Sequence, residues 1–306
     1  MAPYLRRLTL SHLLILLVTA SSATAGPLED ASAAYEKKDY AKTIDILSPL
    51  AENGEPVALW RLGLMYVRGE GVIADTKRGF DLIFRASEFN NPTALGFLAS
   101  AYGDRDPAQA YGLWLRAAQA GDALAQYNVA TYLQHSIGGV KRNDAEAFSW
   151  YRKAAEQGHT EAEFALAQAY RSGTGTSMDY PEALRWYKAA AERGLANAQE
   201  RIAYMYMMGQ GVTQDYSEAS KWQLRAAERG LALAQLQLGQ MYMNGQGLPK
   251  DYVQAHKWIN VALGSLPASE QGLRNHALEQ LTIASKSMTP KQIELAQKLA
   301  RDWRAK

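Results

Sequence analysis

Residues 187–257 read YKAAAERGLANAQERIAYMYMMGQGVTQDYSEASKWQLRAAERGLALAQLQLGQMYMNGQGLPKDYVQAHK, and this stretch decides the fold. The motif AAERG at 190–194 returns at 226–230, and GQG at 209–211 returns at 245–247. Each step is 36 residues. A fixed period of this size is typical of stacked helical hairpins rather than of one globular core. The sequence therefore predicts an all-α fold, a right-handed α/α superhelical solenoid of helix-turn-helix repeats.

Small and apolar residues recur at offsets 0, 4, 5 and 8 of the first predicted helix of each repeat. They are Ala162, Leu166, Ala167 and Tyr170 in one repeat and Ala198, Ile202, Ala203 and Tyr206 in the next. These offsets fall on one face of a helix. We expect this face to pack against neighbouring helices, with the small residues allowing a close approach.

The chain divides into four predicted segments. Residues 1–25 carry Arg6 and Arg7, an apolar run over 8–20 and a small-residue cleavage pattern ending at Ala25, which together predict a secretory signal peptide. Residues 26–54 predict an N-terminal hairpin that caps the array, residues 55–265 the repeats, and residues 266–306 the C-terminal capping helices. An uncleaved membrane anchor is the alternative for the first segment, but its apolar run is short for a span of about 20 residues. We expect an exported chain without membrane insertion after cleavage, in the periplasm first and secreted as the alternative.

Charge and cysteine content exclude several classes of function. The chain has 33 Lys and Arg against 31 Asp and Glu, and without the two arginines of the predicted signal the numbers are equal. A net charge of zero provides no electrostatic footprint for nucleic acid. The chain has no cysteine, which excludes disulfides, thiolate nucleophiles and cysteine-based zinc sites.

Glycine and capping residues mark the predicted helix ends. The loops carry GEGV at 69–72, GQGV at 209–212 and GQGL at 245–248, where glycine permits the left-handed conformation that ends a helix. A nucleotide-binding loop would need a preceding strand and a further motif that this sequence lacks. Asp106, Asp144, Asp179 and Ser217 are the predicted N-caps of second helices, and Thr289 to Gln292 forms a predicted capping box.

The repeats resemble a known family. The pattern A-x-x-x-L-G-x-x-Y-x-x-G-x-G-V-x-x-D-x-x-x-A-x-x-W-x-x-x-A-A-E-x-G is matched at nearly every position over 198–230 and resembles the Sel-one-like repeat, a relative of the tetratricopeptide repeat. The match is close over 122–264 and weaker over 54–121, while 35–54 looks more like a tetratricopeptide unit. The resemblance implies a scaffold for protein–protein contacts. One cysteine-rich branch of the family is linked to β-lactam chemistry, which a chain without cysteine is not expected to share.

No catalytic, metal or cofactor site is predicted. The four histidines after residue 25 are His135, His159, His256 and His276, and they lack the spacing of metal ligands. We interpret all four histidines as surface or helix-capping residues. The sequence has neither the GxSxG nor the Ser-x-x-Lys motif of serine enzymes.

The varied face of the first helices is the predicted partner-binding surface, because the other face is committed to packing. In such solenoids the first helices line the concave side. The candidate residues are Trp60, Tyr127, Phe164, Gln168, Arg171, Tyr204, Met207, Gln240 and Met243. The first three would form an aromatic row suited to peptide anchors. The alternative is that these aromatic residues only pack one repeat on the next, as helical aromatic stripes generally do.

Three functions follow from these patterns. The first is a non-enzymatic, exported scaffold that binds a protein or peptide. The second is a peptidoglycan-acting enzyme or an activator of one, which the missing acid–base or nucleophile constellation disfavours. The third is a self-associating assembly factor of the cell envelope.

Overall fold

The computed structural model describes residues 26–304, so the predicted signal peptide at 1–25 lies outside the described residues. Over the described range the chain forms 16 α-helices and one short 3-10 helix, and no strand. The contacts divide the chain into two compact units, 1–82 and 83–306, with the boundary inside the fourth helix. The prediction of an all-α helical-repeat solenoid is confirmed.

The helices follow one another in chain order as two-helix repeats. Their bounds are α1 Pro27–Glu36, α2 Tyr40–Glu52, α3 Pro56–Arg68, α4 Thr76–Glu88, α5 Pro92–Tyr102, α6 Pro107–Gln119, α7 Ala123–His135, α8 Asp144–Glu156, α9 Thr160–Ser172, α10 Tyr180–Glu192, α11 Ala196–Met208, α12 Tyr216–Glu228, α13 Ala232–Asn244, α14 Tyr252–Ser265, α15 Gln271–Ser285 and α16 Pro290–Asp302. The 3-10 helix Ile137–Gly139 follows α7. Within the second unit α5 packs on α6, and each helix from α6 to α14 packs on the helix before it and the helix after it.

The core lies where the repeated apolar face predicts it. Ala162, Leu166 and Ala167 of α9 are fully buried, and Tyr170 packs half-buried against the same cluster. The equivalent Ala198, Ile202 and Ala203 of α11 are likewise buried. Alanine at the contact positions lets successive helices approach closely, and close packing of this kind holds a chain together without disulfides.

A buried glutamine links successive repeats in the second unit. At the fourth position of α7, α11 and α13, glutamine donates a hydrogen bond to a carbonyl oxygen near the end of the preceding helix. The pairs are Gln126 to Ala118 at 3.3 Å, Gln199 to Ala191 at 3.2 Å and Gln235 to Ala227 at 3.1 Å. In α9 the same position holds Glu163, which cannot donate as a carboxylate. Arg193 donates to its Oε1 at 3.2 Å instead.

The second glycine of each loop is where the loop contacts the preceding repeat. Gly175, Gly211 and Gly247 have φ near 70°, and a side chain there would collide with the first residues of α8, α10 and α12 respectively. Glycine is required at these positions both by the left-handed backbone and by the contact. The shifted glycines of the 136–143 loop fit the same scheme, since Gly138 lies against Pro107 of α6.

Two predicted helix caps are wrong by one or two residues. Asn143, not Asp144, caps α8 by accepting from the Glu146 backbone N–H. Asp215, not Ser217, caps α12 and accepts from the N–H groups of both Ser217 and Glu218. In each case a side chain just before the first helical residue reaches the free N–H groups better than one already inside the first turn.

The other predicted helix-end features are confirmed. Asp106 caps α6 ahead of Pro107, Asp179 caps α10, and Thr289 with Gln292 forms the capping box of α16. His159 caps α9, its Nδ1 accepting from the Ala162 N–H at 3.3 Å. The C-terminal helices α15 and α16 pack on α14, and α15 also contacts α13. Over residues 26–304, none of the helices combines the length and apolar character required to cross a membrane.

Candidate partner-binding surface

Residues at the fifth, ninth and twelfth positions of the first helices form what we call the first-helix face. In the second unit its members on α7, α9, α11 and α13 include Tyr127, Phe164, Gln168, Arg171, Tyr204, Met207, Gln240 and Met243. Trp60 occupies the fifth position of α3 in the first unit and is half-buried. Each predicted residue therefore lies at the fifth, ninth or twelfth position of a first helix.

Tyr127 and Phe164 both pack on the second helix of their own repeat. The Tyr127 ring lies 5.7 Å from Tyr151 and stacks at 5.0 Å on His159. The Phe164 ring lies 5.5 Å from Tyr187. Both residues remain half-buried. A large part of each aromatic side chain therefore serves repeat packing, and only the remaining surface is available to a partner.

The tyrosine hydroxyl groups of the residues that pack on Tyr127 and Phe164 differ in their hydrogen bonding. The Tyr151 hydroxyl donates to Gln134 Oε1 at 2.9 Å and lies 3.3 Å from Thr131 Oγ1. Burial raises the pKa of Tyr151 to about 12, so the phenol stays protonated. In the next repeat the buried Tyr187 hydroxyl and the buried Nε of Arg171 have no hydrogen-bond partner among the described residues.

A buried carboxyl group lies near Arg171. Glu200 occupies the fifth position of α11, is 5% exposed and pairs with Arg201 at 3.5 Å. Burial raises the pKa of the Glu200 carboxyl, while the positive charges of Arg201 and Arg171 oppose the rise. This part of the first-helix face is therefore polar and charged, in contrast to the aromatic surface at Tyr127 and Phe164.

The C-terminal helix α15 covers the last two predicted contact residues. Met243 is only 6% exposed and packs with Leu236 and Ile259 against Ala277 and Ala284 of α15. The prediction that Met243 presents a free surface is wrong. Gln240 lies 2.6 Å from His276 of the same helix and is held there. The face was predicted from repeat periodicity, which carries no information on where a capping helix docks.

Gln168, Arg171, Tyr204 and Met207 are half-buried on the first-helix face of the second unit, and Met208 beside them is 57% exposed. No covering helix lies over these residues within 26–304 in the way α15 covers Met243. They form a short mixed surface of amide, guanidinium, phenol and thioether groups. As partner contacts they stay a prediction.

A partly open pocket lies in the first unit, between α1, α2 and α3. Its volume is about 270 Å³. The floor is apolar, formed by Ala31, Leu47, Leu64 and Met65, of which all but Leu64 are buried. Leu64 is the ninth residue of α3 and so belongs to the first-helix face, one turn beyond Trp60. We call this space the N-terminal pocket.

Two arginines of α3 line the N-terminal pocket. Arg61 Nη1 donates to the Leu28 carbonyl at 3.1 Å and to Ser32 Oγ at 2.5 Å, so its guanidinium is held in place. In the described residues no carboxylate lies within 4.0 Å of it. Arg68 lies 3.9 Å from Glu70, which also accepts from the Tyr35 hydroxyl at 2.8 Å. The glutamate and the buried setting together raise the pKa of Tyr35.

The N-terminal pocket was not predicted from the sequence. A signal existed, because Arg61 and Arg68 are seven residues apart and so fall on one face of α3. The partners from α1, Ser32 and Tyr35, could not be assigned, since nothing in the sequence gives the angle between α1 and α3. Residues 26–304 contain no cluster of three or more histidine, aspartate or glutamate side chains that could hold a metal ion.

Six consecutive segments of this chain match the Sel1 repeat, at 56–88, 93–122, 123–159, 160–195, 196–231 and 232–262. The segments cover more than half of the sequence and coincide with the helix pairs α3–α4 to α13–α14. The chain belongs to the Sel1 repeat family, and the resemblance drawn from the repeat motif is confirmed.

Two solved structures are similar in both fold and sequence. A Sel1 repeat protein from Oxalobacter formigenes is 30% identical with a TM-score of 0.63, over 83% of this chain and 75% of that chain. A protective antigen of uropathogenic Escherichia coli strains, described as having an SLR fold, is 27% identical with a TM-score of 0.58, over 91% of this chain and 68% of that one.

Curated relatives are matched over shorter stretches. Chitin synthase regulatory factor 3 of Schizosaccharomyces pombe is 30% identical over 149 residues, or 45% of this chain and 16% of that protein. An F-box protein of Arabidopsis thaliana is 32% identical over 132 residues, or 42% of this chain and 36% of that protein. The chain thus matches about a third or less of the length of these relatives.

Proposed function

We propose that this chain is a non-enzymatic, exported scaffold that binds a protein or peptide partner. Helical-repeat solenoids commonly act as surfaces for protein–protein interaction, and this chain has that fold. The export part of the proposal rests on the signal pattern of residues 1–25, and the periplasm is the proposed location.

The N-terminal pocket is the observation that carries the proposal. It combines an apolar floor with a guanidinium that is held in place and, among the described residues, has no carboxylate within 4.0 Å. Binding pockets generally have this composition, mostly apolar with a few fixed polar groups that orient the ligand. An apolar side chain of a partner peptide fits the floor, and Arg61 is placed to donate to an adjacent carbonyl oxygen.

The first-helix face of the second unit offers additional contacts. Gln168, Tyr204 and Met207 are half-buried, so packing already restricts part of each side chain. Side chains held in this way lose little conformational entropy when a partner binds. We expect these contacts to adjust specificity, while the N-terminal pocket supplies the anchor.

A pair of matched variants tests the anchor. Ala31→Leu would fill the N-terminal pocket, whereas Ala33→Leu adds the same side chain to an exposed position on the same helix. Wild-type protein and both variants would be used to select binders from a displayed peptide library. We expect wild type and Ala33→Leu to enrich the same apolar-anchored peptides and Ala31→Leu to lose them.

Thermal unfolding of the three proteins controls for folding, since a lost interaction counts only if Ala31→Leu unfolds at a temperature close to that of the wild type. Equal enrichment by Ala31→Leu would contradict an anchor in this pocket. If none of the three proteins enriches any peptide or captures a protein after crosslinking, the scaffold proposal itself is wrong.

A further inference from the structure

A second space lies among the last three helices, away from the first-helix face. It is an open cleft of about 570 Å³ between α14, α15 and α16. Its polar lining comes from His256 and Asn260 of α14, Thr282 and Ser285 of α15 and Gln297 of α16. An adjoining space of about 340 Å³ shares Asn260 and Gln297 and extends to Arg301. We call the two together the C-terminal cleft.

His256 is a buried donor that lines this cleft. The residue is 4% exposed. Asn260 Nδ2 lies 2.7 Å from His256 Nδ1 and also donates to the His256 carbonyl at 2.9 Å. The reversed amide would place Asn260 Oδ1 against that carbonyl oxygen, so the amide nitrogen must face it. Nδ1 is therefore the acceptor and the ring proton is on Nε2.

The Nε2–H group of His256 is left without a partner among the described residues. Burial lowers the pKa of His256, which keeps the ring neutral and this tautomer populated at neutral pH. An N–H group that lines a cleft and has no acceptor in the protein is available to donate to an acceptor of a ligand.

The charges around the C-terminal cleft have one sign. Lys286 lines one part of the cleft and Arg301 the adjoining part. Neither makes an ion pair within residues 26–304, and the lining includes no aspartate or glutamate. Two unpaired cations at separate places, with neutral amides and hydroxyls between them, complement a ligand that carries two negative groups.

The cleft also has an apolar wall. Leu278 and Leu281 of α15 and Ile293 of α16 line the part that contains His256. Leu278 is 53% exposed, so part of this wall is open to a ligand. A purely ionic ligand would make no contact with this wall. A peptide with an apolar side chain between two acidic residues would contact the wall, the two cations and the His256 N–H group.

We propose that the C-terminal cleft binds an acidic peptide segment, with one carboxylate at Lys286, a second at Arg301 and a peptide carbonyl at His256 Nε2–H. The site is separate from the N-terminal pocket and is independent of the scaffold proposal. On this proposal the C-terminal helices α15 and α16 bind a ligand in addition to covering the last repeat.

The test compares two peptides of the same shape. The probe is acetyl-Glu-Leu-Ala-Glu-amide, and its uncharged match is acetyl-Gln-Leu-Ala-Gln-amide. Each is titrated into the purified protein by calorimetry at low salt. We expect the acidic probe to bind at least about tenfold more tightly, because each carboxylate gains a charge-assisted hydrogen bond. We also expect the affinity to fall as salt is added.

Matched variants locate the site. Arg301→Gln and Lys286→Gln should each weaken binding of the acidic probe by about tenfold. Lys298→Gln on α16 and Lys291→Gln at its start remove exposed cations that do not line the cleft, and they should leave the affinity unchanged. In the wild-type protein the acidic probe should also shift the ring NMR signals of His256.

Three results would overturn the proposal. The first is the same affinity for both peptides or no binding by either. The second is an equal loss from Lys298→Gln and Arg301→Gln, which would mean general attraction to a basic helix. The third is binding of the acidic probe that leaves the His256 signals unmoved, which would place the peptide elsewhere. None of these results bears on the N-terminal pocket.

Discussion

Glu163 shows how a single residue changes the character of a repeat. Three neighbouring repeats have glutamine at this position, with its amide donating to the end of the preceding helix. Glu163 is 2% exposed, its Oε2 has no partner among the described residues, and burial raises the pKa of its carboxyl despite the ion pair with Arg193. A carboxylate here costs folding free energy that an amide would not.

We predict that Glu163→Gln stabilises the protein at neutral pH by about 1 kcal/mol, because the amide can donate to the Ala155 carbonyl as its counterparts do. A raised folded-state pKa means that the folded protein holds the proton more tightly than the unfolded chain. Stability is therefore lost as pH rises through the folded pKa. The advantage of the variant should shrink toward pH 4, near the unfolded pKa of about 4.3.

Urea unfolding of the wild type and Glu163→Gln between pH 4 and pH 8 measures this difference. Glu156→Gln, which changes an acid that is 60% exposed, serves as the control and should shift stability by less than about 0.5 kcal/mol. A variant that is less stable than the wild type at pH 7.5 would mean that the Arg193 pair outweighs the burial of the carboxylate.

The roles of some of these residues could be predicted from the sequence, and those of others could not. The packed alanines and the Asp179 cap followed from spacing and side-chain chemistry alone. The buried state of Met243 did not, because burial by α15 depends on a docking geometry that repeat periodicity does not contain. The pocket at Arg61 was missed for the same reason, since its walls come from three separate helices.

At the scale of an element, the loop between the two helices of a repeat has two glycines with different tasks. Gly245 and Gly247 both have φ near 70°. A side chain at Gly245 would meet only ordinary contacts, whereas one at Gly247 would overlap the carbonyl oxygen of Tyr216 in the preceding repeat. The first glycine ends α13, and the second lets the loop lie against α12.

We therefore predict a graded effect of alanine in this loop. Gly245→Ala should cost about 1–2 kcal/mol, the cost of a left-handed backbone alone. Gly247→Ala should cost about 3 kcal/mol or more, because the loop must also move away from Tyr216. Thermal unfolding and amide exchange of both variants measure the difference. Equal costs would show that the contact with the preceding repeat does not constrain the loop.

Helix positions were the most predictable feature at this scale. The first helices α3 and α5 begin at Pro56 and Pro92, where a capping side chain and a proline mark the start in the sequence. By contrast, α11 and α13 follow leucines that make no side-chain cap, so only the repeat period indicates where they begin. In two second helices, α8 and α12, the capping residue lies one or two residues before the predicted cap. A run of several polar residues offers more than one possible cap, and local chemistry does not choose among them.

At the scale of the whole molecule, the last helices end the array. Trp303 at the C-terminal end of α16 packs at 5.9 Å on Trp258, and α15 covers Met243. A solenoid must shield the apolar face of its last repeat, so terminal elements of this kind are expected. The division of the chain into 26–54, 55–265 and 266–306 stays a prediction.

We predict that undocking α15 exposes the last repeat. Ala277 is fully buried against α13 and α14, so Ala277→Glu would bury a charge and should destabilise the cap by about 3 kcal/mol. Peroxide oxidation followed by mass spectrometry reports the result. Met243 should oxidise slowly in the wild type and nearly as fast as the exposed Met208 in the variant.

Gln271→Glu, an exposed change at the start of α15, is the control and should leave Met243 protected. If Met243 is oxidised at the rate of Met208 already in the wild type, α15 does not cover this position in solution. The two residues that the sequence proposed at the end of the first-helix face would then be available to a partner after all.

The central claim is that a partner enters the N-terminal pocket of this scaffold. The most direct measurement is photo-crosslinking from benzoylphenylalanine placed at Leu64, which lines the pocket, and separately at Lys221, an exposed second-helix position. Crosslinking would be carried out in envelope extract and read by mass spectrometry. The account predicts a discrete partner from the first position, lost when Ala31→Leu is added, and none from the second. The same products from both positions would contradict it.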